Sequence, residues 1–502
     1  MKLQLKTLLG ILIMACLTTV AAFEMGPKMR LRSISGFAET VLSEWKVPGM
    51  AIAVVKDGET ILMDAYGHRD VENKIPVTNE TMFAIGSATK AFTALGIMLL
   101  ADEGKLDLDT PLKHYLPDLK LYDEYTTDHV TARDILSHRT GIPSHDAIWI
   151  LTDRDRDELY KRMAYLHPNQ EFRYDFQYNN TMYALAGVVI ERLSGETWEE
   201  FIQVRIFDEL KMHSSIPSLS NLLSQSDFSY PYLTFGEKPQ RIQIRDNEAT
   251  RPAGAIASNI EDMGKWLMLN MNTGQNGNSQ FIAESSLLEL FKPTTAISSP
   301  LYQALSESRN YGLGWYVTDY RGYEMVEHGG NIDGFSTMVS FLPEENIGVV
   351  VLTNSMNIAS YVVIREIYDR LLGLEKRDWN QHYQQRFAQL MSMMGGKASD
   401  EPEDKSTNHS LPLDQYVGTF SHPAFDTVDV QVSDGLLALR FQSGIQAQLE
   451  HINEDQFLGR SNDLYLPQFT VNFVLSEFKS IEKFTIPLET GVPEIAFIRQ
   501  MD

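Results

Sequence analysis

Residues 88–104, ATKAFTALGIMLLADEG, constrain this chain more than any other stretch. Ala91, Phe92, Ala94, Leu95, Ile97, Met98, Leu99 and Leu100 leave the helix no polar face. A helix that is apolar all round must be enclosed by the rest of its domain. Ser87 stands at its entrance and Lys90 lies one turn in. Residues three apart share a helix face, so Lys90 looks toward Ser87. Ser87 also meets the free N–H groups and positive dipole end of the helix.

Two readings of Ser87 compete. It is a helix cap, worth about 1 kcal/mol, or it is a nucleophile with Lys90 beside it. A cap accounts for Ser87 but leaves Lys90 unexplained, because a lysine in a buried helix costs desolvation unless it has partners. Burial also lowers a lysine's pKa and lets it exchange protons near neutrality. Spacing alone does not decide, since Ser43/Lys46, Ser476/Lys479 and Ser480/Lys483 repeat the Ser-x-x-Lys pattern. None of those three adjoins a wholly apolar helix.

Enclosing such a helix takes a sheet and more helices. Residues 47–66 carry Asp57-Gly58 between two apolar stretches, which is a hairpin signal. A second hairpin is expected at 336–353, and helical patterns occupy 88–104, 181–194 and 260–272. Strands at both sequence ends with helices between them predict an α+β fold with one antiparallel sheet flanked by helices. Composition changes near residue 375. A polar helical stretch runs to Met394, and residues 395–410, GGKASDEPEDKSTNHS, read as a linker. Beyond it the period becomes two: Val428, Val430 and Val432 alternate with polar residues, Ser433-Asp434-Gly435 turns, and Leu437, Leu439 and Phe441 resume. The expected organisation is a signal peptide at 1–22, a main domain at 23–375, a helix and polar linker at 376–411, and an all-β accessory domain at 412–502.

Lys2 and Lys6, the apolar Leu8 to Leu17, and Val20-Ala21-Ala22 read as a secretory signal cut after Ala22. Ile13-Met14-Ala15-Cys16 is a loose lipoprotein box and gives a rival reading of the same segment, a tether at Cys16. Cys16 is the sole cysteine, so the mature chain is expected to hold no disulfide and no cysteine-ligated metal. No apolar run is long enough for a membrane span. The formal charge of −24 argues against nucleic acid as a partner. It leaves open a cation or mineral surface. Asn79 and Asn408 are glycosylation candidates; Asn179 also lies in a sequon and is expected to be unmodified.

A Ser/Lys site needs a further proton-handling group and an oxyanion hole. Tyr178 precedes a helix with Asn180 two residues on, and none of the other tyrosines among 21 has asparagine there. An aromatic beside an asparagine cap is the plain alternative. His328-Gly329-Gly330 occurs once and opens a predicted strand, where two glycines permit close approach of backbone to a ligand. A loop with flexible glycines is the alternative there.

These three elements, in this order, resemble the serine β-lactamase and penicillin-binding protein superfamily. The nearest branch is the class C-like serine hydrolases of peptidase S12 type, which are D-stereospecific peptidases, aminopeptidases and esterases. The likeness spans roughly residues 35–372 and includes VPGMAIAVVKDG (47–58), VTARDILSHRTGIP (130–143) and YGLGWY (311–316). It implies Ser87 as the acylated nucleophile and Lys90 as the group that holds or takes its proton. It implies Tyr178 as general base and later acid, and Asn180, His328, Gly329 and Gly330 as substrate-binding residues. The backbone N–H groups of Ser87 and Asn331 would form the oxyanion hole, each worth about 3 kcal/mol at the transition state. The implied reaction is acyl transfer from a small-molecule or peptide amide or ester to water, with no metal and no cofactor. β-Lactamases usually carry Lys-Thr-Gly where this chain has His328-Gly329-Gly330, which argues against efficient β-lactam hydrolysis. The accessory region resembles a lipocalin-like barrel that either caps the site or mediates assembly into a homo-oligomer. The rival readings are an extracellular, calcified-matrix or binding protein on the same scaffold, and a penicillin sensor that deacylates slowly. Loops near 117–129, 144–176 and 211–250 are expected to shape the pocket.

Overall fold

A computed structural model describes residues 26–235, 238–299, 303, 307–395, 409–461, 463–466 and 468–500. The signal segment with Cys16, Asn408 and most of the linker lie outside the described residues.

The core is a nine-stranded antiparallel sheet. Its strands are β1 (Gly49–Lys56), β2 (Glu59–Asp70), β3 (Ile75–Pro76), β4 (Thr295–Ala296), β5 (Asn310–Tyr311), β6 (Tyr316–Tyr320), β7 (Tyr323–Ile332), β8 (Phe335–Leu342) and β9 (Ile347–Thr353). The spatial order is β4-β5-β6-β7-β8-β9-β1-β2-β3. Strand β1 therefore pairs with β9, from Met50 opposite Thr353 to Lys56 opposite Ile347, across some 300 residues of chain. Both expected hairpins form. Asp57 and Gly58 have φ of 52° and 77°, the paired positive values of a turn whose twist matches the strands.

β1 shows why the sheet has helices on both faces. Met50, Ile52 and Val54 point into one core, with Val41 and Leu42 of the helix Ile34–Trp45 and Val363 and Ile367 of the helix Ala359–Leu372. Ala51, Ala53 and Val55 point into the other, with the helix Ile260–Met271 and the central helix Thr89–Asp102. The central helix is buried from Thr89 to Leu100. It stops at Gly104 (φ 71°), where the Lys105 N–H bonds Leu100 O and the Gly104 N–H bonds Ala101 O, a left-handed glycine closure.

Eight antiparallel strands between Gly418 and Arg499 close into a barrel, each pairing with its sequence neighbour and the last with the first. Phe420, Phe457, Phe473, Phe484 and Phe497 fill its interior; the Phe420–Phe484 and Phe484–Phe497 rings lie 5.0 and 4.9 Å apart. The alternation Val428, Val430, Val432 does not hold to its end. Val432 is 46% exposed, because its strand runs out into the turn at Asp434-Gly435 before the interior continues. No helix among the described residues is long and apolar enough to cross a membrane.

Candidate active site

Ser87 lies in a single 3-10 turn, Gly86–Ala88, that leads into the central helix. Its side chain caps neither that turn nor the helix, so the capping alternative is not realised. The turn is pressed against the end of β7. A Cβ on Gly330 would lie 1.9 Å from Ile85 O and 2.7 Å from Ser87 N. Gly86, at φ 52°, meets Asn331 N in return, at 2.9 Å from its own notional Cβ. The glycines were expected to admit a ligand, but the close approach at Gly330 is between two segments of this chain. Gly329 is less constrained, since its Cβ would meet the flexible end of Met338.

Lys90 is fully buried. Its Nζ lies 3.1 Å from Ser87 Oγ and donates to Asn180 Oδ1 at 2.7 Å and to Ala253 O at 2.8 Å. Burial pushes its pKa down to about 7, against a smaller opposing pull from the Asp146 carboxylate. The Tyr178 ring sits beside it, 4.8 Å from Nζ to the centroid. Ser87, Lys90, Tyr178 and Asn180 are thus gathered at one place.

Tyr178 is held by a residue the sequence did not single out. His138, itself at φ 58° and fully buried, brackets it. The Gln177 N–H donates to His138 O at 2.7 Å, and the Asn179 N–H donates to His138 Nδ1 at 3.1 Å. The imidazole also packs on the Tyr178 ring, with centroids 4.4 Å apart. Accepting at Nδ1 requires the neutral ring, and burial with the nearby Lys90 charge holds its pKa well below the usual histidine range.

Asn180 opens the helix Asn180–Ser194, and Asn179 caps it by accepting from the Met182 N–H at 3.0 Å. Asn179 is wholly buried, and its amide also donates to Ile142 O and Pro143 O. That leaves no room for a glycan. Asn79 is half-buried near the surface. Asn180 divides its amide: Oδ1 accepts from Lys90 while Nδ2 donates to Asp146 Oδ1 at 3.0 Å. The Trp149 Nε1–H donates to that same Oδ1 at 2.8 Å.

His328, expected among the substrate-binding residues, is 1% exposed and is not part of the cleft lining. Its Nε2 contacts the Tyr311 hydroxyl at 2.9 Å, and its Nδ1 contacts Gly329 O at 2.7 Å. Burial and the Lys90 charge lower its pKa to about 3.

Ser87, Asn180 and Asn331 open into a cleft of about 660 Å³. Residues 146–153 and 245–255 line it, as does Leu219, whereas 117–129 do not. The barrel, expected either to cap the site or to mediate assembly, supplies a further wall through Ser443-Gly444-Ile445, Asp463 and Tyr465. The Tyr465 hydroxyl accepts from the Asp333 N–H at 3.0 Å and donates to Asp333 Oδ1 at 3.1 Å, two residues beyond Asn331. Arg245 bridges to Asp463 at 2.6 Å. Farther out, Asp426 takes Arg154 and Arg162, each at 2.7 Å. Glu489 accepts from the His145 N–H at 2.8 Å. No single segment announces these pairs, because the partners lie hundreds of residues apart in sequence.

Residues 37–374 match the family model described as Beta-lactamase, and residues 402–499 match a domain of unknown function, DUF3471. The chain is 29% identical over 465 residues to the unguisins hydrolase ungD' of Aspergillus campestris, covering 87% of this chain and 84% of that protein. It is 28% identical over 330 residues to the protein flp of Staphylococcus aureus, covering 64% and 63% respectively. Among solved structures, the octameric penicillin-binding protein homologue from Pyrococcus abyssi superposes with a TM-score of 0.60 over 93% of this chain and all of that one. At 22% identity it speaks to the fold.

Proposed function

The chain belongs to the Beta-lactamase family, a family of serine hydrolases and acyltransferases, and on that premise we propose that it hydrolyses an amide or ester through an acyl-enzyme on Ser87. One observation carries this reading: Lys90 is buried, its pKa lies near 7, and its Nζ is 3.1 Å from Ser87 Oγ. The neutral amine has two N–H bonds and a lone pair. The N–H bonds satisfy Asn180 Oδ1 and Ala253 O, the two shorter contacts. The lone pair then faces the Ser87 hydroxyl and takes its proton as Oγ attacks the carbonyl carbon.

The carbonyl oxygen gains the charge and takes bonds from the Ser87 and Asn331 N–H groups, which the Gly86–Gly330 contact holds together. Tyr178, beside the lysine, passes a proton to the leaving amine or alkoxide. Water attacks the ester so formed, gives its proton to the same pair, and Ser87 is released. The absence of a lysine at position 328 favours peptidase or esterase chemistry over efficient β-lactam cleavage.

Intact mass after a fluorophosphonate probe tests the reading. One adduct is expected, mapped to Ser87 and absent in Ser87→Ala, together with a fall in turnover of about 10⁴-fold or more. An unlabelled but folded protein would sink the proposal.

A further inference from the structure

Resting on that hydrolase reading, we propose that Asp146 determines specificity, its carboxylate taking a cationic group, an ammonium or guanidinium, carried on the acyl side of the substrate. Asp146 lines the cleft together with Ser87 and Asn180. Both hydrogen bonds it accepts fall on one oxygen, Oδ1, from the Asn180 Nδ2–H and the Trp149 Nε1–H. Both donors are neutral. Among the described residues its second oxygen has neither a hydrogen bond nor an ion pair.

Asp153 also lines the cleft, exposed to solvent and without an ion pair among the described residues, whereas the arginines there are matched. Arg245 lies against Asp463 and Asp333, and Arg251 against Asp246 and Glu199. Glu489 acts on Asp146 with the same sign, and Lys90, beyond Asn180, opposes it only while protonated, which the neutral amine of the reactive state is not. Burial raises the Asp146 pKa, since its charge is poorly solvated there. Orienting Asn180 needs only a neutral acceptor, so an anion at this point is a cost that a bound cation offsets. The same field disfavours substrates bearing a carboxylate next to the reacting carbonyl. Asn180 hydrogen-bonds Asp146 on one side and Lys90 on the other, so a group held at Asp146 lies one side chain from the reacting hydroxyl.

The test compares labelling of Ser87 by two diphenyl 1-aminoethylphosphonates, one with its amine free and one N-acetylated, each enantiomer separately. In both, Oγ displaces phenoxide from phosphorus, so the reporter is the same bond. The free amine is expected to label about tenfold faster or more in the wild type, with the ratio falling to about one in Asp146→Asn. Asparagine keeps an acceptor for Asn180 and Trp149 while losing the charge. Should that variant not fold, the wild-type ratio decides alone: it must shrink as pH rises through the pKa of the probe's own amine, which the neighbouring phosphonate diester holds below the ordinary α-amino range. A ratio of one in the wild type, or one unchanged in the variant, overturns this inference while fluorophosphonate labelling leaves the hydrolase reading standing. No labelling by any of the three probes overturns both.

Discussion

Gly330 against Ser87 and Tyr465 against Asp333 are both contacts between distant segments at the same cleft, and they differ in kind. The first is steric. Nothing larger than hydrogen fits between β7 and the turn that carries Ser87. The second is polar and made by a half-buried side chain whose hydroxyl both accepts and donates. A steric contact has one solution and fixes the reacting groups. A polar contact between a loop and a barrel edge tolerates exchange, so shape and charge on that side can vary without disturbing Ser87. The chemistry and the selectivity of this cleft are thus under separate constraints.

The comparison breaks most visibly at Gly330. Gly330→Ala is expected to cost about 3 kcal/mol or more and to abolish Ser87 labelling, read by thermal unfolding and intact mass. Gly329→Ala, whose one close contact is the flexible end of Met338, should cost under about 1 kcal/mol. Equal losses at the two glycines would remove the steric argument. Next in size is His138. His138→Leu leaves the Asn179 N–H without its buried acceptor and strains a left-handed position, so kcat should fall about 10- to 100-fold. His138→Asn, which tolerates that backbone and restores an acceptor, should recover part of the loss. If both variants behaved alike, His138 would be a packing residue only.

pH gives a third, smaller lever. Below about pH 7 Lys90 is protonated and has no lone pair for Ser87, so kcat/KM should drop about tenfold per unit as pH falls and level off above it. His138 and His328 have pKa values depressed below this range, so neither imidazole should contribute to that limb. A profile rising toward acid would assign the base elsewhere. The smallest effect is expected at the barrel. Tyr465→Phe removes two hydrogen bonds to Asp333, worth about 1 kcal/mol of stability. It should raise KM more than it lowers kcat, with Ser87 labelling by a small fluorophosphonate intact. Loss of that labelling would show that the barrel supports the chemistry too.

What could be read from the chain divides along the same line. The central helix, both hairpins and the two-residue period of the barrel are local patterns, and each was legible. The Ser87–Lys90 pair was legible too, because a buried lysine is chemically conspicuous, whereas the joining of Tyr178 and Asn180 to it came from the family resemblance. Asp146, His138 and Tyr465 were not legible. Each reaches the site through one or two hydrogen bonds to a residue on another segment, Asn180 for Asp146, Asn179 for His138 and Asp333 for Tyr465, and an aspartate, a histidine or a tyrosine in a loop carries no periodicity. Residues 117–129 looked like pocket loops by composition and lie outside the cleft lining, while the barrel was expected either at the site or in assembly and none of its individual cleft residues carried a local signal. Val432 failed for a simpler reason: a strand's last alternating residue has left the sheet's interior by the time its turn begins.

The pairing of β1 with β9 sets a schedule for synthesis. β1 is buried on both faces and is a central strand, yet its neighbour is made some 300 residues later. At roughly 5–20 residues per second, that interval is tens of seconds. For that time the growing chain carries an apolar hairpin with one open edge and a Ser87 turn that has nothing to lean on. The barrel wall emerges later still. Until β7 is made, the Ser87 turn lacks the backbone it packs against, and until β9 is made the first hairpin keeps an unpaired apolar edge.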